Sequence, residues 1–409
     1  MTSALLLTSR KASAATRVLQ APDGRPLKAG LIGCGGRGRG AAVNFLDAGQ
    51  NLQVNALADV FDDRLAEARQ LLDKRGQEIP DARCFVGFDA YQKLLETDVD
   101  VVLQATPPHF RPAHFAAAVA AGKHCFLEKP LAVDATGVRS VLETTKRAES
   151  RGLCVMTGTQ LRRDHARVET RQRVVDGQIG DIVAVRAFRN QGALWHREPE
   201  PGWSDMEAMI RDWVNWTWLS GDCLVEMFVH HIDQILWVLG EPPVRAVGMG
   251  GRARRVTGDQ YDFFSIDYAH KSDVHMHATI RQVNGCANER GEMIVGTRGV
   301  AELSTGSIRD RAGKVVWQFE GEKNDPLVQE HADWIAAIRS EKPIDQVRDT
   351  AAATLTTIMG RDSAYTGQAV LYDEALKADD RLGPTEYALG PVDIEPTAPV
   401  PGREAPTDE

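Results

Sequence analysis

Short apolar runs alternate with amphipathic stretches through the first 157 residues. The runs at 28–33, 54–58, 83–86, 99–104, 124–127 and 153–157 are nearly continuous in Val, Ile, Leu, Ala and Phe. That is the pattern of strands buried on both faces of a parallel sheet. Helical spacing follows the first run, with Ala41, Ala42, Phe45 and Leu46 on one face. It recurs at 61–75, 89–95, 112–121 and 134–149. Strands separated by helices of this length predict a doubly wound parallel sheet.

From about residue 158 the period changes. Longer alternating runs at 182–190, 244–250, 263–269, 274–282, 293–296, 301–304 and 314–319 are joined partly by turns such as Val283-Asn284-Gly285. This predicts an antiparallel or mixed open sheet. A helix is expected from Ser220-Gly221-Asp222 to Gly240, with Val225, Val229, Ile232, Leu236 and Leu239 as its apolar stripe. After about 326 two more helices are expected, the first with Leu327, His331, Trp334, Ile335 and Ile338 on one face and the second at 347–365. The expected fold class is α/β: an N-terminal doubly wound parallel sheet at 28–157, then an α+β domain with a large open mixed or antiparallel sheet at 158–325. Helices at 326–389 pack back on these. Residues 1–27 are expected to be a disordered leader. The tail at 390–409, with prolines at 391, 396, 399, 401 and 406, is expected to be extended or disordered.

The chain of 409 residues carries a net charge of −9, which opposes general binding to nucleic acid or anionic membranes. It has no apolar run long enough to span a bilayer. Ala4-Leu5-Leu6-Leu7 followed by Ala12-Ser13-Ala14-Ala15 faintly resembles a signal peptide, but the apolar run is too short and precedes Arg10-Lys11. Cytoplasmic residence is expected, with periplasmic export left open. The six cysteines form no C-x-x-C pair and no zinc-ligand spacing with histidine, so they read as reduced and structural, and no metal site is expected. His275 and His277 share one face of a strand, which suits a polar sheet face covered by a partner or by water better than a metal pair.

Three stretches carry chemistry. The first strand runs into Gly33-Cys34-Gly35-Gly36-Arg37-Gly38, a G-x-G-x-x-G between strand and helix. There the first glycine permits the tight turn, the second lets backbone approach a pyrophosphate, and the third lets helix pack on strand. Such a Rossmann unit binds a dinucleotide. Asp59 ends the second strand, where an acid accepts from the adenosine ribose and repels a 2′-phosphate, so NAD is expected over NADP. The same residue would serve as a helix cap, and Arg37 and Arg64 keep the 2′-phosphate reading open. The second stretch is Glu128-Lys129-Pro130 at the end of the fifth strand, on the sheet edge where ligands bind. Thr106-Pro107-Pro108-His109 lies on the same edge, with His109 either a ligand contact or a structural loop residue. The third stretch is the helix from 220, where Glu226, His230 and Asp233 fall at i, i+4 and i+7. A histidine beside a carboxylate suits a general base, and the spacing to Glu226 favours His230 over His231. The bland alternative is a polar helix face. Trp195 to Trp218 holds five of the eight tryptophans with Arg197, Arg211 and Asp212, which suits sugar stacking or a packed core equally.

Together Gly33–Gly38, Thr106-Pro107-Pro108 with His114, Glu128-Lys129-Pro130, and Glu226 with His230 and Asp233 resemble the glucose–fructose oxidoreductase, inositol dehydrogenase and rhizopine-catabolism family (Gfo/Idh/MocA). Gly296-Thr297-Arg298-Gly299 and the stretch from Gly360 to Gly367 resemble its later landmarks. The resemblance implies a Rossmann domain followed by an open sheet that builds homodimers or homotetramers. It also implies a nicotinamide cofactor and a substrate between the domains. It assigns Lys129 to the reacting hydroxyl and His230 to its proton, with Glu226 where the family usually has aspartate. Cofactor contacts are then expected at Gly33, Cys34, Gly35, Gly36, Arg37, Gly38, Asp59, Thr106, Pro107, His109, Glu128 and Lys129. Substrate contacts are expected at Arg162, Trp195, Arg211, Asp212 and Asp233. The activity expected is NAD(P)-dependent oxidation of a secondary hydroxyl of a sugar, polyol or glycoside. The alternatives are a redox-neutral glycosidase or sugar–sugar oxidoreductase that retains its cofactor, and a non-catalytic dinucleotide sensor.

Overall fold

The computed structural model describes residues 20–344 and 346–402. The first domain is a six-stranded parallel sheet of β1 (Leu27–Ile32), β2 (Leu52–Asp59), β3 (Cys84–Val86), β4 (Val101–Gln104), β5 (His124–Leu127) and β6 (Val155–Thr157), in the order β3-β2-β1-β4-β5-β6. All of β4 is buried, as is β5 beyond its first residue. Helices on both faces cover them, which is why these strands read as unbroken apolar runs. The order reverses between β1 and β4, so the carboxyl ends of β1, β2, β4 and β5 frame one crevice.

The second sheet has nine strands: β7 (Ile182–Gln191), β8 (Pro243–Gly251), β9 (Phe263–His270), β10 (His275–Gln282), β11 (Glu289–Gly296), β12 (Gly299–Glu302), β13 (Ser307–Asp310), β14 (Val315–Gln318) and β15 (Val370–Leu371). Their order is β14-β13-β12-β11-β7-β10-β9-β8-β15. It is mixed: β7 and β10 run parallel, and the other neighbours run antiparallel. Alternation is clear in β9 and β10, where Phe264, Ile266, Tyr268, Met276, Ala278 and Ile280 are buried. Val247, Met249 and Phe263 stay exposed on the opposite face.

The helix Val347–Thr366 joins the two sheets. It packs on β8, on the helix Val229–Leu239 and on the helix Ala135–Ser150. Its buried hydroxyls are matched across the junction: Thr350 Oγ1 lies 2.8 Å from Thr157 Oγ1, and Thr354 Oγ1 accepts from Leu131 N–H at 3.3 Å. The helix Pro326–Arg339 closes on the first domain, where Trp334 is fully buried and donates from Nε1 to Cys154 O.

Two expectations about the termini change. Residues 20–26 of the expected leader are docked: Ala21 N–H bonds Ala48 O at 2.8 Å and Arg25 pairs with Asp100. The rest of that leader, 1–19, lies outside the described residues. The proline-rich tail has neither helix nor strand through 402, yet it is held to the body. Tyr261 OH donates to Pro399 O at 2.8 Å, and Val392 N–H bonds Asp205. Its few apolar residues suffice because the surface it crosses is itself apolar.

Candidate active site

The phosphate end comes from backbone alone. Gly33 has φ +90°, and a Cβ there would come within 2.7 Å of Thr106 N. A Cβ at Gly38 would strike Gly33 O at 1.8 Å, so both positions require glycine. At Gly35 and Gly36 a Cβ would meet nothing within 4 Å. The helix Gly36–Asp47 starts there without a side-chain cap, which leaves first-turn N–H groups facing the crevice as an anion cradle. This bare backbone fits a pyrophosphate. Arg37 Nε lies 3.0 Å from Glu128 Oε1 and its Nη2 donates to Asn44, so these two expected cofactor residues brace each other. Cys34 donates its N–H to Asp59 Oδ2 at 2.6 Å, and its thiol is buried.

Asp59 also accepts from Phe61 N–H at 3.0 Å, which turns the chain into the helix Asp62–Asp73 without capping it; the helix has Phe61 as N-cap and no side-chain cap. Burial pushes its carboxyl above the usual range, opposed by the N–H bonds from Cys34 and Phe61. Beside it opens a cavity of about 270 Å³. Gly33, Gly35, Asp59, Thr106 and Pro107 line one side; Trp195, Ile210, Arg211, Trp213 and Tyr387 line the other.

The loops after β4 and β5 are tied by Arg111, a fully buried residue whose Nη2 donates to Thr106 O at 2.6 Å and whose Nη1 donates to Pro130 O. Burial lowers its guanidinium to about 10. His114 Nδ1 lies 3.3 Å from Thr106 Oγ1. His109 bonds the Tyr387 hydroxyl at 2.7 Å through Nε2. Burial and then the charge of Arg381 lower it to about 4, so the ring is neutral.

At the reaction end the Lys129–Pro130 peptide is cis. Lys129 Nζ donates to Glu226 Oε1 and Glu226 O, both at 2.7 Å. Here the structure corrects the expected geometry. The helix from 220 is broken into Cys223–Glu226 and Val229–Leu239. Glu226 therefore turns to Lys129 rather than polarising His230. Asp233 turns away too: it is buried and receives Arg162 through Nε at 2.9 Å and Nη2 at 2.8 Å. Arg162 Nη1 reaches Asp349 at 2.6 Å. These two expected substrate contacts are spent on a buried ion network.

His230 is half-buried, with Nδ1 buried and unpartnered, which leaves Nε2 as the nitrogen able to take a proton. Burial, then the charges of Lys129 and Arg189, hold its pKa well below the ordinary value. It is therefore neutral and able to accept a proton. The competing His231 is buried, with Nδ1 2.6 Å from Glu292, which also pairs with Arg167.

The tryptophan-rich segment sits elsewhere than a sugar site requires. Asp212 is buried and accepts from Arg197 N–H at 2.9 Å and Asn215 Nδ2 at 2.8 Å, with His196 Nδ1 3.0 Å away; it staples its own loop. Arg211 pairs with Asp63 and Glu207 and lies 3.9 Å over Phe61. With Trp195 it lines the cavity beside Asp59, not the space at Lys129. Sequence reasoning missed Arg189, Arg111 and Tyr387. Arg189 had a signal: it shares the inward parity of Val185 and Ala187 on β7. Arg111 and Tyr387 had none.

Among the described residues no group of three or more His, Cys, Asp or Glu is placed to hold a metal ion, and no helix is long and apolar enough to cross a membrane.

A glycine-rich strand-to-helix turn, an acid at the end of β2 and a lysine just after β5, beside a second open-sheet domain, mark an NAD-binding oxidoreductase. The chain belongs to the Gfo/Idh/MocA family: residues 27–159 match its oxidoreductase domain with NAD-binding Rossmann fold, and residues 168–302 match its C-terminal domain. It is 26% identical over 373 residues to inositol 2-dehydrogenase of Acidothermus cellulolyticus, covering 90% of this chain and 97% of that one. It is 27% identical over 224 residues to D-glucoside 3-dehydrogenase of Escherichia coli, a match that spans about half of each (54% and 56%). The fold is shared with scyllo-inositol dehydrogenase from Lactobacillus casei, solved with NAD(H) and scyllo-inositol (TM-score 0.66, 18% identity, 85% of this chain and 99% of that one).

Proposed function

We propose that the chain oxidises a secondary ring hydroxyl of a cyclic polyol, sugar or glycoside, with NAD as cofactor. The carrying observation is that Lys129, at 2.7 Å from Glu226, lies near enough to His230 for its charge to help hold that imidazole neutral. Gly33–Gly38 hold the pyrophosphate and Asp59 the adenosine ribose. The bound nicotinamide supplies the hydride acceptor. Lys129 donates a hydrogen bond to the reacting oxygen and stabilises negative charge developing there. His230 takes the hydroxyl proton at Nε2, leaving a ketone. Glu226 orients Lys129 through the 2.7 Å ion pair.

The inositol and glucoside relatives support this substrate class. Cytoplasmic residence belongs to the same reading, supported by six free cysteines. So does a homodimer or homotetramer through the open sheet, supported by the exposed Val247, Met249 and Phe263; light scattering tests it. The activity test mixes purified protein with NAD or NADP and a panel of inositols, aldoses and methyl glycosides, following reduced nicotinamide by its absorbance. The expected result is NAD reduction by at least one cyclic polyol or glycoside. Reduction by none, with NAD bound, would contradict the reading.

A further inference from the structure

The cavity beside Asp59 has walls from three separated parts of the chain. Past the ribose-facing acid, the first domain contributes Val60, Phe61, Phe88 and Tyr91; the facing wall is Trp195, Ile210, Arg211, Trp213 and Tyr387. Lys129, Glu226 and His230 do not line it. Flat apolar rings with two arginines, Arg64 and Arg211, suit a purine ring, and the position beyond Asp59 is the adenosine side of the crevice.

The facing wall is locked in place. Tyr387 bonds His109, stacks on Phe88 at 6.1 Å and meets Phe110 edge-on at 5.3 Å. Arg211 is pinned to Asp63 by bonds of 2.9 and 3.0 Å. The C-terminal segment is tied on both sides of Tyr387: Leu382 N–H bonds Asp134 at 2.9 Å, and Met206 N–H bonds Gly390 O at 3.1 Å. Gly383, at φ +89°, passes so close to Trp218 and His109 that a Cβ would come within 2.7 Å of the indole. Phe61, Met206, Ile210 and Trp218 form a separate small core with Tyr387 and Ile394 packed against it.

Building on the dinucleotide reading above, we propose that residues 195–213 and 382–394 form a clamp over the adenosine half of NAD, with Tyr387 and Arg211 as binding residues. Reduced nicotinamide still leaves and NAD still enters in each turnover, but the clamp makes that exchange slow. Release requires opening a packed core rather than moving a solvated loop, so the clamp acts on the dissociation rate. Substrate still enters at the lysine end, which the clamp leaves free.

The test is a chase. Full-length protein is loaded with radiolabelled NAD, freed of excess and mixed with unlabelled NAD, and retained label is followed with time. The wild type is expected to lose its label over many times the mixing time. Tyr387→Ala should exchange at least about tenfold faster, equivalent to about 1.4 kcal/mol of lost binding. Tyr387→Phe keeps the ring but not the bond to His109, and should fall between them. Because it preserves packing, it keeps the test informative if the alanine variant folds poorly. Label lost from the wild type within the mixing time, or one exchange rate for all three proteins, would overturn the clamp while leaving NAD binding intact. Failure of every form to bind NAD would overturn the dinucleotide reading itself.

Discussion

The two ends of the cleft are built on opposite plans. At the phosphate end the working groups are backbone, and Gly33–Gly38 supply them within six residues. At the reaction end the working groups are side chains, and Lys129 meets Glu226 across 97 residues of chain and two domains. A backbone cradle tolerates change outside its glycines, because only steric emptiness is required. A cross-domain charge pair depends on both domains holding register, and it fails when either partner goes.

The comparison breaks most directly at Lys129. Lys129→Met should lower kcat by about a thousandfold, since one preorganised donor at the developing charge is worth on the order of 3–4 kcal/mol, while NAD affinity measured by calorimetry stays close to wild type. Loss of NAD binding would mean that the two ends are not separable. His230→Gln should cost about a hundredfold or more, and its pH profile is diagnostic. The base acts when neutral and its pKa is lowered, so the wild-type kcat/KM should hold steady down to about pH 6.5 and fall only below it. In His230→Gln that acid limb should vanish.

Away from the chemistry, Arg162→Met strands Asp233 in the interior. It should destabilise the fold by about 3–5 kcal/mol in urea, with a smaller effect on KM than a substrate contact would show. Asp59→Ala should weaken the preference for NAD over NADP by on the order of tenfold. A separate prediction is an acid sensitivity of the first domain, which holds His114 and packs against His331 through Phe126. Burial lowers His114 and His331 to about 3, against about 6.5 when unfolded. The unfolded chain binds these protons first, so their stability contribution is complete above pH 6.5 and is lost as pH falls toward 3. A melting temperature unchanged between pH 7 and 5 would contradict that burial.

What was legible in the sequence follows the same division. The doubly wound sheet, the glycine cradle, Asp59 and Lys129 all rest on local patterns with one steric or hydrogen-bonding reason each. The pairing of Glu226 was misread because Val225, Val229, Ile232 and Leu236 keep helical spacing straight through the break at 227–228, so the apolar stripe conceals the turn. Arg162 and Asp233 lie 71 residues apart, and nothing local says that they neutralise each other. Tyr387 lies before the proline-rich tail, in the stretch expected only as helices packing back, and no local pattern marks it; its neighbours Phe88, Phe110 and His109 come together only in the folded chain.

The central claim is that Lys129 and His230 act on one hydroxyl as a unit. A double-mutant cycle on kcat with the best substrate of the panel tests it. The account predicts that Lys129→Met with His230→Gln loses little more than the worse single variant, as groups acting together on one hydroxyl do. Losses that multiply in the double variant would show two independent effects and contradict the shared centre.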